Sequence, residues 1–167
     1  MKSHKSKYNA LNWALAGAVL LALCAPAFAV LGDNAASVLN DQARMKGTLQ
    51  SIDRQTYVMH EITAPSGAKV REYVSPSGAV FGVAWEGQFP PNFEQLLGPY
   101  FQQIQQASAQ EKTAGAGSEQ QAPHRRGPAV IQTSGIVFVQ SGHTHSFHGQ
   151  AYIPQLVPQG VAASDIR

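Results

Sequence analysis

The sequence predicts an α+β fold: an antiparallel sheet of about five strands with helix packed against it, in two layers. Three observations lead there. Two turn signatures, Ala64-Pro65-Ser66-Gly67 and Ser75-Pro76-Ser77-Gly78, recur eleven positions apart between strand-like runs. A capped apolar stripe begins at Asn92, and a second pair of strand-like runs follows it.

The turns come first. Proline presets φ at one turn position and glycine accepts positive φ at another, so both four-residue units read as tight reversals. The flanking runs, Tyr57–Thr63, Ala68–Val74 and Ala79–Trp85, then form a three-stranded meander. Pairing outward from the turns sets Glu61 opposite Arg71 and Met59 opposite Tyr73. On the next hairpin it sets Tyr73 opposite Phe81 and Arg71 opposite Val83. One face then carries Tyr57, Met59, Tyr73, Phe81, Val83 and Trp85. The other carries Val58, Ile62, Val70, Val74, Val80 and Ala84, with His60, Glu72 and Gly82 in one row. Both faces are apolar enough to need a cover, from the chain's own helices or from a partner.

Gln88-Phe89-Pro90-Pro91 breaks the last strand, and Asn92 is a good helix cap. Phe93, Leu96, Leu97, Tyr100, Phe101 and Ile104 recur at helical spacing and make one core-facing stripe. Pro99 falls inside it, so the helix restarts or kinks there. Residues 107–128 contain Ala114-Gly115-Ala116-Gly117-Ser118 and read as a flexible linker. A second hairpin is expected over Ala129–Val139 and His143–Ile153, with a bulge at Ser134-Gly135 and a turn at Ser141-Gly142. Before the meander, Ser37 would cap a short helix through about Lys46, with Val38, Leu39 and Met45 as its contacts.

Residues Met1–Ala29 read as a secretory signal. Lys2, Lys5 and Lys7 precede an apolar run, and Ala27-Phe28-Ala29 is an A-x-A cleavage site. The expected product is a single domain over residues 30–167, exported across the inner membrane to the periplasm or beyond, without a membrane span. Cys24, the sole cysteine, leaves with the signal and takes disulfide and thiol chemistry with it. The formal charge of +2 belongs to the precursor. Without the three lysines the balance is −1, with no basic stripe for a phosphate backbone, so nucleic acid is an unlikely partner.

Two clusters carry residues suited to chemistry. His143 and His145 alternate along an expected strand and would share a face, giving half of a transition-metal site, with His148 pointing away. His60 and Glu72, as cross-strand neighbours, could form the imidazole–carboxylate pair of a small envelope hydrolase. No G-x-S-x-G, Walker loop or dinucleotide fingerprint occurs, so no catalytic or cofactor-binding residue is assigned from a motif. The leading expectation is a non-catalytic module that binds a protein or an envelope component, a second copy of the chain included.

The run Val70-Arg71-Glu72-Tyr73-Val74-Ser75-Pro76-Ser77-Gly78-Ala79-Val80-Phe81, then Val83-Ala84-Trp85, resembles an exported proteobacterial family, domain of unknown function 2844. So do Leu96-Leu97-Gly98, Tyr100-Phe101, Ser141-Gly142-His143 and Gly149-Gln150-Ala151-Tyr152-Ile153-Pro154. The resemblance implies export and brings no activity, cofactor or catalytic residue with it.

Overall fold

The computed structural model describes residues 31–115 and 127–167; the expected signal segment and residues 116–126 of the expected linker lie outside them. Seven strands form one antiparallel sheet: β1 (Thr48–Asp53), β2 (Val58–Thr63), β3 (Lys69–Val74), β4 (Val80–Gly87), β5 (Ala129–Gln132), β6 (Val137–His143) and β7 (Ser146–Tyr152). Their order is β1-β2-β3-β4-β7-β6-β5, so two meanders meet where β4 pairs with β7. The helices α1 (Ser37–Met45), α2 (Phe93–Leu97) and α3 (Pro99–Gly115) are small beside this sheet. The expectation of about five strands is therefore corrected to seven, in a domain that is mostly β.

Each missed strand has a local reason. β1 carries two large apolar residues, Leu49 and Ile52, three positions apart and hence on opposite faces. Leu49 packs with the core on the helix side and Ile52 with the core on the far side. No period-two alternation marks such a strand. In the second meander, the expected bulge at Ser134-Gly135 is a full reversal. The Thr133 hydroxyl accepts from the Gly135 and Ile136 amides, 3.3 Å each, and splits the run into β5 and β6. The next reversal falls at Thr144-His145, with His145 at φ 65°, not at Ser141-Gly142. Gly142 lies inside the hairpin opposite Phe147, where an added Cβ would strike the Ser146 carbonyl.

The β2–β3 register is as expected: Met59 faces Tyr73, His60 faces Glu72 and Glu61 faces Arg71. The β3–β4 register is one residue off. A bulge shifts the pairing so that Val74 faces Val80 but Tyr73 faces Gly82 and Arg71 faces Ala84. The extra residue sends Phe81 and Gly82 to the same face, and every later β4 residue changes sides. Val83 and Trp85 therefore join Ile62, Val70, Val74 and Val80 beneath the helices, and Ala84 goes to the far face with Met59 and Tyr73.

Helix boundaries follow local chemistry. Asn92 caps α2 by accepting the Gln95 amide through Oδ1 at 3.1 Å. Gly98, at φ 51°, ends α2, and α3 restarts at Pro99, where a missing N–H costs nothing. α3 continues to Gly115, into the stretch expected as linker. Ser37 is the first residue of α1 rather than its cap, and its hydroxyl donates to the Asn34 carbonyl at 2.6 Å.

The chain covers the far sheet face itself. Residues 157–167 run back across it, and Ile166 is fully buried against Met59, Tyr73, Phe81 and Ala84. Gly82 makes room: a Cβ there would sit 3.1 Å from Ile166 Cδ1. The Tyr73 hydroxyl donates to the Arg167 carbonyl (2.7 Å) and accepts from its amide (2.9 Å). Tyr73→Phe is expected to cost about 1 kcal/mol. Hydrogen exchange should read it as faster exchange at the Ile166 and Arg167 amides, with β6 and β7 protected as before.

Candidate functional site

On the helix side of the sheet, a row of polar side chains crosses the strands: Ser51, His60 and Glu72 stand side by side on β1, β2 and β3. From above, α1 places Asp41 onto Glu72. Asp41 shares the α1 stripe with Val38 and Met45, at spacings of three and four, so helix geometry drives it into the interface. Both carboxyls are buried, Asp41 at 1% and Glu72 at 2% exposure. The two carboxyls hydrogen-bond to each other. Burial pushes Glu72 well above the usual carboxylate range, and the Asp41 charge adds to it. Asp41 is also raised by burial, while hydrogen bonds from Gln95 and Glu72 and the charge of Arg44 pull it back. The Gln95 side-chain amide, on α2, donates to Asp41 Oδ1 at 2.5 Å. The pair therefore ties α1, β3 and α2 together.

Gln95 also belongs to the wall of a pocket of about 250 Å³. Its other walls come from Met45, Ala68, Val70, Trp85 and Leu96, and Phe89-Pro90-Pro91 form its rim. Two consecutive prolines offer no backbone N–H to continue the β4 ladder, so this segment leaves the sheet as a lip. Phe89 is 67% exposed. Trp85 is nearly fully buried between Phe93 (ring centroids 5.1 Å, edge-on) and Phe138 (5.5 Å, stacked). Its indole Nε1 and the Glu72 Oε1 are the buried side-chain atoms left without a hydrogen-bond partner among the described residues.

The pairs singled out from sequence fare differently. His60 and Glu72 are cross-strand neighbours on one face, as expected. Their chemistry is divided, however. His60 Nδ1 bonds the Ser51 hydroxyl at 2.8 Å, and Glu72 is hydrogen-bonded to Asp41. A nucleophile–base–acid relay needs an ionised acid orienting the far imidazole nitrogen, and Glu72 is occupied elsewhere. Burial lowers the His60 pKa. His143 and His145 do not alternate along one strand. His143 ends β6 opposite Ser146, and its Nδ1 lies 3.2 Å from the Thr144 carbonyl. His145 sits in the turn with its ring 6.1 Å from that of Phe89. His148 pairs in register with Glu86 on one side and Ser141 on the other. Among the described residues, no three His, Cys, Asp or Glu side chains converge as metal ligands. The cleavage residues Ala27 and Ala29 lie outside the described residues.

Asp41, Gln95 and Trp85 were not singled out beforehand. Asp41 left a trace: a carboxylate within an apolar helical stripe. Gln95 and Trp85 left none, because their roles depend on the bulge and on the docking of α1.

On the far face, Arg71 bridges Glu61 (2.7 Å) and Glu86 (3.0 Å), with Lys69 3.8 and 3.7 Å from the same carboxylates. Two acids and two bases balance. Such partly exposed pairs contribute little stability individually.

Fold and site define a small antiparallel-sheet domain, helices on one face, with an apolar pocket buttressed by a buried carboxyl pair. The chain belongs to the family described as protein of unknown function (DUF2844), whose model matches residues 27–166. No curated protein and no solved structure matches the chain. Among the described residues no helix is long and apolar enough to cross a membrane.

Proposed function

We propose that the protein is a non-catalytic, exported module that binds a protein or an envelope component through the pocket beneath Phe89-Pro90-Pro91. The observation that carries this reading is the pocket itself. It is an apolar concavity between sheet, α1 and α2, with a large aromatic side chain standing exposed at its lip. The covered far face shifts the weight of a binding role onto this site. Export rests on the lysines before the apolar run and on Ala27-Phe28-Ala29.

A photo-crosslinking residue placed at Phe89 in living cells tests the binding role. A discrete adduct is expected there, and none from the same residue at exposed Leu39 on α1. Ala64→Trp, which fills the pocket mouth, should abolish the Phe89 adduct. Equal, diffuse labelling at both positions would overturn the reading.

A further inference from the structure

We infer that the Asp41–Glu72 contact is a pH-sensitive bolt: alkaline conditions break it, release α1 from the sheet and open the pocket wall that α1 supplies through Met45. The inference concerns control of the site proposed above and rests on that reading for its purpose.

Three observations carry it. The first is what holds α1 down. Backbone hydrogen bonds pin the chain just before the helix: the Gly32 amide donates to the Val80 carbonyl (2.8 Å) and the Ala35 amide to the Gly78 carbonyl (2.9 Å). Just after the helix the chain enters β1. Between these pins, side chains must hold the nine residues in place, because a helix this short is not stable alone. Val38 is deeply buried, Met45 half-buried and Leu39 exposed, so the buried Asp41 sits at the centre of the grip. The second is the set of groups around the pair. On α1, Arg44 acts on Asp41 through its charge, and on α2 the Gln95 side chain donates to Asp41. On β2, His60 stands beside Glu72, bonded to Ser51 and lowered in pKa by burial. On β4, the neighbour of Glu72 is Val83. On the alkaline side Arg44 is the cation of this set, and its charge is already set against Asp41. The third is solvation. Glu72 is almost fully buried and its Oε1 has no hydrogen-bond partner among the described residues. A carboxylate formed there would stand beside a second carboxylate with neither water nor a donor for that oxygen. Lifting α1 exposes Glu72 with the least disruption, because β3 stays paired with β2 and β4 along its whole length. Met45 and Gln95 line the pocket, so the same movement removes part of its wall.

Hydrogen exchange read by mass spectrometry on the full chain tests the inference, with rates corrected for the intrinsic effect of pH. Once Glu72 begins to ionise, loss of its proton should raise the α1 opening constant about tenfold per pH unit, followed up to about pH 9. Residues 37–45 should lose protection on that scale while β4 and β7 keep theirs. Met45 should also oxidise faster in dilute peroxide, relative to Met59 on the far face. In Glu72→Gln the protection of residues 37–45 should stay level across the range. Level protection of residues 37–45 in the natural protein overturns the inference. A loss that β4 and β7 share equally does so too, because it is unfolding of the whole domain. An unchanged Met45 rate, or a loss that persists in folded Glu72→Gln, has the same force. The natural protein alone decides the first three of these outcomes, so the inference stays falsifiable if Glu72→Gln does not fold. None of them depends on the Phe89 adduct, so failure of the bolt and failure of the binding role are separable.

Discussion

Glu72→Gln is expected to make the protein more stable on the alkaline side and to flatten its dependence on pH. The native carboxyl is raised well above its ordinary value, chiefly by burial and then by the Asp41 charge. Between the ordinary carboxylate value and that raised native value, the folded state holds a proton that the unfolded state has released. Stability therefore falls as pH rises through this interval and is greatest on its acid side. Each extra native proton contributes a slope of about 1.4 kcal/mol per pH unit. Glutamine preserves a neutral donor toward Asp41 and has no proton to lose. Urea midpoints from about pH 5 to about pH 9 should slope downward in the natural protein and level off in the variant. A natural protein with a flat profile would show that the Glu72 carboxyl is not raised. Asp41→Asn should flatten the profile only in part, because it removes the neighbouring charge but leaves Glu72 raised by burial.

Gly149→Ala should be among the most damaging single substitutions in the sheet. Gly149 faces Trp85 on β4 and Gln140 on β6. An added methyl would stand 2.5 Å from Trp85 Cζ2 and overlap the Val139 carbonyl oxygen. The indole cannot retreat, because Phe93 and Phe138 pack on it from two directions. Backbone is the other obstacle, so no single side-chain change repairs the site. A loss of about 3 kcal/mol or more is expected, at the upper end for overpacked cores. Thermal unfolding of Gly149→Ala measures it, and Trp85→Phe combined with Gly149→Ala should recover only part. Full recovery would show that the Val139 carbonyl is no obstacle.

The parts of this fold that could be read from sequence are those whose signal is local. The two Pro-Ser-Gly turns and their flanking runs announce the meander, and pairing outward from the first turn places His60 beside Glu72. The same procedure fails at the second turn. The Phe81-Gly82 bulge adds one residue, and a bulge has no composition of its own beyond a glycine. That single residue decides that Trp85 belongs under the helices. β1 escapes notice because its two apolar residues serve two cores, and β5 because it is four residues long and ends in a turn resembling a bulge. The site is less legible still. Asp41 and Glu72 are 31 positions apart, and nothing in either segment says that one helix lies over one strand.

The crossing of residues 157–167 over the far sheet face bears on how the chain comes into being. A polypeptide delivered from its amino end completes β2, β3 and β4 long before Ile166 emerges. Until then Met59, Tyr73 and Phe81 form a bare aromatic and aliphatic surface on a sheet whose β4 edge still awaits β7. The Tyr73–Arg167 clasp closes a loop of 94 positions, so its ordering cost falls at the end of the process. The half-built sheet thus stays sticky and incomplete until that segment arrives. Residues 157–167 act as the latch whose arrival covers that surface.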